Sequence, residues 1–371
     1  MGVLEYQVCS VCVMDTSAHG IFFNEHGQCN FCSDFIVSLE EDSMHHDSHR
    51  DVELNRLLDQ VRKDGSGKEY DCVIGVSGGI DSSWALLKAV ERGLRPLAVH
   101  MDNGWDSELA QSNISNLVTK LDVDLYTWVI DWDEYRSLMN AFFSANVIDV
   151  ELLYDNAMLA VNYDQARQNN LQFILSGSNT ATEGMQIPAN WNWNKRDWKN
   201  IKGIAKKFGD VPIETFPHLS NRQFVINHYR KKIKWVSFLD FLGYDRPDAI
   251  EELEIKVGFR SYPYKHYESV FTRFYQGHIL PIKFGVDKRR VHFSTLIIGK
   301  SMSRSEAISD LKGIPYPDQR SLDSDIEYFL KKMNWSRVDL EDYLAAKPIS
   351  HSAYPSDANF VKCAKLLRRF A

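Results

Sequence analysis

The tightest constraint on the fold is the run Ser77-Gly78-Gly79-Ile80-Asp81-Ser82-Ser83. It follows residues 71–76, an apolar stretch closed by small residues, and precedes residues 84–90, which have the spacing of a helix. A strand, a glycine turn rich in hydroxyls and a helix N-terminus together make a phosphate cradle. Glycine permits positive φ and close backbone approach. Successive N–H groups then form an anion nest, and the helix dipole adds to it. Asp81 is the odd member, because a carboxylate beside phosphates is repulsive unless a cation stands between them. That points to Mg²⁺ bridging Asp81 and a nucleotide. The spacing is not that of a Walker A loop, and no lysine follows the glycines.

Around this run the chain alternates strand-like and helix-like segments. Strand patterns cover 71–76, 95–101, 125–130 and 171–175, and helical patterns cover 82–92, 107–121, 132–146 and 155–169. Such alternation predicts an α/β fold with a parallel, doubly wound sheet, whose ligands bind beyond the carboxyl ends of the strands. Three motifs fall at such ends. They are the glycine run, His100-Met101-Asp102-Asn103-Gly104-Trp105, and Ser176-Gly177-Ser178-Asn179-Thr180-Ala181-Thr182-Glu183-Gly184. Singly, the second is an ordinary turn and the third a helix cap. Their coincidence at one sheet edge makes a site.

Four of the six cysteines form one constellation: Cys9 and Cys12 as one C-x₂-C pair, Cys29 and Cys32 as another. Two such knuckles complete a tetrahedral structural zinc site with no open position. Two disulfides and an iron–sulfur cluster are the alternatives. Cys72 reads as a small buried hydrophobe, and Cys363 lies in the last helix-like segment. The expected organisation is a zinc-binding module and linker over 1–50, a nucleotide-binding core over 51–211, and a mostly helical substrate or partner region over 212–371. The charged stretch 40–53, with His45, His46 and His49, reads as a solvated linker.

At 44% hydrophobic and 25% charged, the composition is that of a globular protein. No apolar run is long enough to span a membrane. A cytoplasmic location, without membrane insertion, is expected. The net charge of −7 argues against nucleic acid as a partner. Trp191, Trp193 and Trp198 stand among polar residues, a mix that either stacks on sugar or base faces or packs inward. Lys265, Glu268, Ser269, Thr272 and Arg273 would share one broad face if their segment were helical. Lys283, Lys288, Arg289 and Arg290 follow, a concentration of cations suited to phosphates.

The pattern S-G-G-x-D-S-S resembles the PP-loop of ATP pyrophosphatases, enzymes that cleave ATP between the α- and β-phosphates. The full set of motifs is more specific. The two cysteine pairs, the PP-loop, His100–Trp105, Ser176–Gly184, the 265–273 run K-H-Y-E-S-x-x-T-R and the 283–292 run K-F-G-x-D-K-R-R-x-H together resemble the N-acetyl sugar amidotransferases of bacterial surface-polysaccharide pathways such as O-antigen synthesis. The resemblance runs from Cys9 to about Leu311. It implies that the acetamido oxygen of an N-acetyl sugar, expected as a nucleotide-linked substrate, is adenylated by ATP and then replaced by ammonia-derived nitrogen, giving an acetamidino group. It also implies roles. Ser77, Gly78, Gly79, Ser82 and Ser83 hold the pyrophosphate end of ATP, and Asp81 ligates Mg²⁺. Asp102 and Asn103 frame the adenosine. Gly177, Ser178, Asn179, Thr180 and Glu183 line the α-phosphate side, with Glu183 a ligand or base. Lys265, Arg273, Lys288 and Arg289 stabilise phosphate charge. No glutamine-hydrolysing signature is present, so the resemblance implies a separate glutaminase subunit, related to that of histidine synthesis. The rival readings are a PP-loop tRNA thiolase, and a non-enzymatic nucleotide-sensing scaffold whose zinc module binds a partner.

Overall fold

The computed structural model describes residues 5–46, 50–263 and 267–358. At its centre lies a parallel sheet of β1 (Cys72–Gly75), β2 (Pro96–Asp102), β3 (Leu125–Val129), β4 (Phe173–Ser176) and β5 (Lys234–Ser237), in the order β3-β2-β1-β4-β5. Before β1 come α1 (Asn30–His46) and α2 (Arg50–Gly65). The connections are α3 (Ile80–Glu91), α4 (Glu108–Leu121), α5 (Trp132–Ser144), α6 (Leu152–Gln168), α7 (Thr180–Glu183), α8 (Trp198–Phe208) and α9 (Asn221–Tyr229). After β5 follow α10 (Arg246–Val257), α11 (Val270–Phe274), a π-helix (Tyr275–Phe284), α12 (Arg289–Ile298), α13 (Arg304–Leu311), α14 (Gln319–Met333) and α15 (Arg337–Ala345). No helix among the described residues is long and apolar enough to cross a membrane.

Why the inner strands read as unbroken apolar runs is plain from their two buried faces. Val73, Val99, Met101 and Ile174 enter one core, while Ile74, Ala98, Phe173 and Leu175 enter the other. β3 lies at an edge and alternates in burial. The chain builds β1, β2 and β3 toward one edge, then returns to lay β4 and β5 on the other side of β1. The order therefore reverses between β1 and β4. A crevice opens at their carboxyl ends, and the glycine run and Ser176–Gly177 occupy it.

All four expected strands and the four expected helices form, with small shifts of their ends. β5 was not expected. Its sequence Lys234-Trp235-Val236-Ser237 is short and follows three further cations and isoleucine, so it carries little strand signal. The sheet thus extends past residue 211 into the mostly helical region. The stretch 40–53 is largely helical where described, because Leu54, Leu57, Leu58 and Val61 give α2 a buried face. The expected single helical face over 265–273 does not form. Lys265 lies outside the described residues, and Ser269 is extended (φ −111°, ψ 122°), capping α11 by accepting from Thr272 N. Glu268 and Ser269 run instead antiparallel to Asp106 and Ser107: Ser107 N donates to Glu268 O at 2.8 Å, and Val270 N to Trp105 O at 2.8 Å.

The tryptophan segment packs inward. Trp191 is 1% exposed, Trp193 stacks on His351 with centroids 5.2 Å apart, and Trp198 stacks on His218 at 4.0 Å. The segment joins three parts of the chain, since Asn190 and Trp191 donate to Ser17 O while Asp197 accepts from Ser356 Oγ.

Candidate active site and cysteine centre

The glycine run turns from β1 into α3 with Gly78 at φ +76°, a conformation that favours glycine. A methyl group there would also stand 2.7 Å from Ala110 O. α3 has no side-chain cap; its N-cap is Gly79. The first-turn N–H groups thus face the crevice as a donor nest. Within the loop, Ser82 Oγ accepts from Ser77 N at 3.2 Å and lies 3.2 Å from Ser77 Oγ, and Ser77 Oγ accepts from Gly79 N. Tyr262 Oη donates to Gly78 O at 2.8 Å and braces the turn from outside. Ser83 differs from its neighbours. It is fully buried, and its hydroxyl has no hydrogen-bond partner among the described residues, so it faces the interior.

Asp81 sits in the first turn of α3 and accepts from the Tyr244 hydroxyl. Burial first, then the Asp81 carboxylate beside it and, more weakly, that of Glu183, push the Tyr244 phenol up. Asp81 on α3 and Glu183 on α7 each supply a carboxylate in a segment that follows a strand end, β1 and β4 respectively. That donor set of hard oxygens fits a divalent cation held against phosphate.

His100, on β2, supports the loop from below. Its Nδ1 lies 2.9 Å from Val76 O and its Nε2 2.9 Å from Asp106 Oδ2. Both partners only accept, so the geometry is satisfied by an imidazolium donating from both nitrogens. Burial pulls the imidazole down, but the Asp106 carboxylate outweighs it and leaves His100 above its ordinary value. Asp102 and Asn103 close the turn after β2, accepting from Gly104 N at 2.7 Å and Trp105 N at 3.0 Å.

The third motif is a tight neighbour of the first. A methyl on Gly177 would meet Asp81 C and Ser82 N at 2.6 Å, so β4 ends directly against the start of α3. Ser178 Oγ joins Ser176 Oγ (2.6 Å) and Ser237 Oγ (3.0 Å) in a hydroxyl ladder. Asn179 caps α7 by accepting from Thr182 N at 2.8 Å, and Thr180 N donates to Asp240 Oδ1 at 2.7 Å.

The C-terminal region touches all three motifs. Glu268 Oε1 would be 3.4 Å from a methyl on Gly79, His292 Nδ1 lies 3.2 Å from Thr182 O, and Lys332 Nζ donates to Gly104 O. The expected phosphate cations have other partners. Arg273 forms a two-point pair with Asp325 at 2.6 and 2.7 Å, Lys288 pairs with Glu151 at 2.6 Å, and Arg289 pairs with Asp287 at 2.7 Å. Arg289 also donates to the carbonyls of Asp310 and Gly313.

The four cysteines converge. Cys9, Cys12, Cys29 and Cys32 are buried, and their sulfurs all lie within 4.8 Å of one another. Cys12 Sγ stands 3.7 Å from Cys29 Sγ. That is far too long for a disulfide. It matches the edge of about 3.8 Å that a tetrahedron with Zn–S bonds of about 2.3 Å requires. Backbone N–H groups of Val11 and Cys12 point to Cys9 Sγ, and that of Cys32 to Cys29 Sγ, at 3.4 Å. The donor set fits zinc, and is too compact for a multi-iron cluster whose thiolates stand on different irons. Arg304 fastens this module to α13 by donating to the carbonyls of Cys9 (2.7 Å) and Cys12 (3.0 Å).

Tyr244 and Tyr262 carried no sequence signal, since lone tyrosines beyond the core motifs have no spacing to betray them. His100 and Asp106 did have one: the former lies within and the latter just after the second motif.

Comparison with known proteins adds the following. Residues 268–368 match the family model described as LPS biosynthesis protein WbpG-like, C-terminal domain. A comparison with curated proteins finds no match. Among solved structures, the chain is similar to an NMN synthetase from Francisella tularensis (17% identity, TM-score 0.29), over 59% of this chain and 99% of the other. It is also similar to an NH3-dependent NAD synthetase from Campylobacter jejuni (15% identity, TM-score 0.28), over 55% and 92%. A predicted subunit of a tRNA methyltransferase from Methanocaldococcus jannaschii gives 14% identity and a TM-score of 0.28, over 49% and 75%.

Proposed function

We propose that this chain is an ATP-dependent amidotransferase of lipopolysaccharide biosynthesis, which converts the acetamido group of an N-acetyl sugar into an acetamidino group. The observation that carries the reading is the start of α3, whose N-cap Gly79 makes no side-chain cap and whose first turn presents Asp81, bound by the Tyr244 hydroxyl. The WbpG-like match over residues 268–368 supports the pathway, and the motif set supports the substrate class.

An amide carbonyl is a poor electrophile and its oxygen a poor leaving group. Attack of the acetamido oxygen on the α-phosphate expels pyrophosphate and leaves an O-adenylyl imidate. Ammonia then adds to the imidate carbon, AMP departs with the former acetamido oxygen, and the proton shed by nitrogen passes to a base. The chain's residues align and exclude water. The Ser77–Gly79 turn and the α3 N-terminus hold the pyrophosphate end. The His100 imidazolium fixes Val76 and hence the loop. Asp81, with Glu183 as a further candidate ligand, would hold a magnesium ion that supplies charge neutralisation for pyrophosphate. Zinc at the cysteine centre would hold the N-terminal module to α12 and α13.

Mass spectrometry tests the reading directly. Turnover with ATP, ammonium and N-acetyl sugars should yield a sugar in which one oxygen is replaced by NH. A glutaminase partner belongs to the same proposal: the chain alone should use ammonium, increasingly as pH raises the ammonia fraction, and ignore glutamine. Glutamine-dependent turnover by the chain alone would overturn the two-subunit reading. Loss of acetyl nitrogen or oxygen from no sugar, with thiolation of tRNA instead, would favour the thiolase.

A further inference from the structure

α6 leads into β4, so it runs antiparallel to the strands and starts at the sheet's carboxyl edge. Its Asn162 lies against Gly75, the last residue of β1, at 3.0 Å from a methyl placed there. Residues 154 and 155 stand two turns earlier. At 1.5 Å per residue they lie about 10 Å further along α6 than the level of Gly75, on the side of the carboxyl edge.

Five charged groups gather at this end of α6. Lys195 Nζ bridges Asp149 (2.8 Å) and Asp155 (2.8 Å), and Lys288 Nζ binds Glu151 (2.6 Å). Gln276 also donates to Glu151, at 2.8 Å. The cluster is graded. The Asp149 side chain is 2% exposed and further fixed by Trp193 N at 2.6 Å, whereas that of Asp155 is 33% exposed. Tyr154 precedes Asp155 at the start of α6, and burial first, then the carboxylates of Asp106, Asp155 and Glu268, push its phenol well up. Of these, Glu268 lies against the phosphate loop, its Oε1 3.4 Å from a methyl placed on Gly79, and Asp106 binds His100 Nε2.

We propose that Asp155, Lys195, Tyr154 and the Lys288–Glu151 pair form the subsite that grips the hydroxyls of the acceptor's pyranose ring. The inference rests on the sugar-modifying reading above and assigns the substrate to named residues. Charge decides between ligand classes. Three carboxylates face two lysines, so the cluster has no surplus cation for a diphosphate. What it offers is donors and acceptors side by side in fixed positions, which suits hydroxyls, since each both donates and accepts. The distance suits it too, because an acceptor that attacks the α-phosphate must extend outward from the loop. The tryptophan segment thereby acquires a purpose: its inward packing delivers Lys195 to α6.

The test uses the full chain with ATP, ammonium and UDP-linked N-acetyl hexosamines of gluco, galacto and manno configuration. Pyrophosphate release gives KM and kcat, and saturation-transfer NMR reads the sugar protons without turnover. Asp155→Asn should raise the KM for the sugar about tenfold or more, as loss of a charged hydrogen bond does, and leave the KM for ATP within about twofold. Tyr154→Phe, which removes one hydroxyl and keeps the packing, should act in the same direction. Both should weaken saturation transfer to the ring protons. If wild type shows sugar-dependent pyrophosphate release and both variants keep its sugar KM, the subsite is wrong while the function stands. If no N-acetyl hexosamine stimulates wild type or receives saturation, the functional reading fails and takes the subsite with it.

Discussion

Gly177→Ala is the smallest change that reaches the phosphate cradle without touching a polar group. The added methyl would lie 2.6 Å from Asp81 C and Ser82 N and 2.8 Å from Asp81 O. Ordinary contact begins near 3.4 Å, so roughly 0.8 Å must be found by movement of backbone. None of the three atoms is the end of a flexible side chain. Either β4 recoils or the first turn of α3 shifts, and α3 carries the N–H groups proposed to hold phosphate. Overpacking of this kind costs about 1–3 kcal/mol. A displacement near 1 Å in a reacting array costs about 100-fold in rate. The assay pairs a thermal melt with pyrophosphate release at saturating ATP. Gly313→Ala is the control, since a methyl there meets nothing closer than 3.9 Å. The expectation is a melt lowered by a few degrees, with turnover down about 100-fold, against a control close to wild type. A Gly177→Ala protein with wild-type turnover would refute the claim that α3 and the β4 loop form one cradle.

Other perturbations separate structural from chemical roles. Arg273→Leu leaves Asp325 buried without its two-point partner, which should cost about 3 kcal/mol or more in stability; Arg273→Leu with Asp325→Leu should recover much of it, as measured by denaturant melts. Cys29→Ser should yield protein with less than one zinc per chain by metal analysis and a lower melt, whereas a metal-free wild type that is fully folded would contradict the zinc assignment. For His100 the sign follows from its raised folded value. Its pairing stabilises fully below the unfolded value of about 6.5 and is lost as pH rises through the folded one. The stability gap between wild type and His100→Asn should therefore be largest below about pH 6.5 and shrink as pH rises above it.

Much of the sheet was legible because its inner strands are buried on both faces and so read as apolar blocks between turn residues. The turn from β1 into α3 was legible because two glycines followed by an apolar helical spacing have a narrow set of conformations, and Gly78 does take a positive φ there. β5 was not, since a four-residue edge strand that follows a run of cations resembles a loop. Arg273 and Lys288 were read as phosphate ligands because sequence shows a charge and not its partner: Asp325 and Glu151 lie 52 and 137 residues away. The tryptophans were ambiguous for a similar reason, as polar neighbours along the chain say nothing of what lies across the fold. Tyr244 reaches Asp81 over 163 residues, and no local pattern records that contact.

The central claim is that this cradle cleaves ATP between its α- and β-phosphates, with Asp81 holding the cation that makes this feasible. Phosphorus NMR of a turnover mixture containing ATP, Mg²⁺, ammonium and an N-acetyl sugar tests it most directly, run beside a folded Asp81→Asn variant. The account predicts AMP and pyrophosphate in equal amounts from wild type and neither from the variant. ADP and phosphate from wild type, or undiminished cleavage by Asp81→Asn, would contradict it.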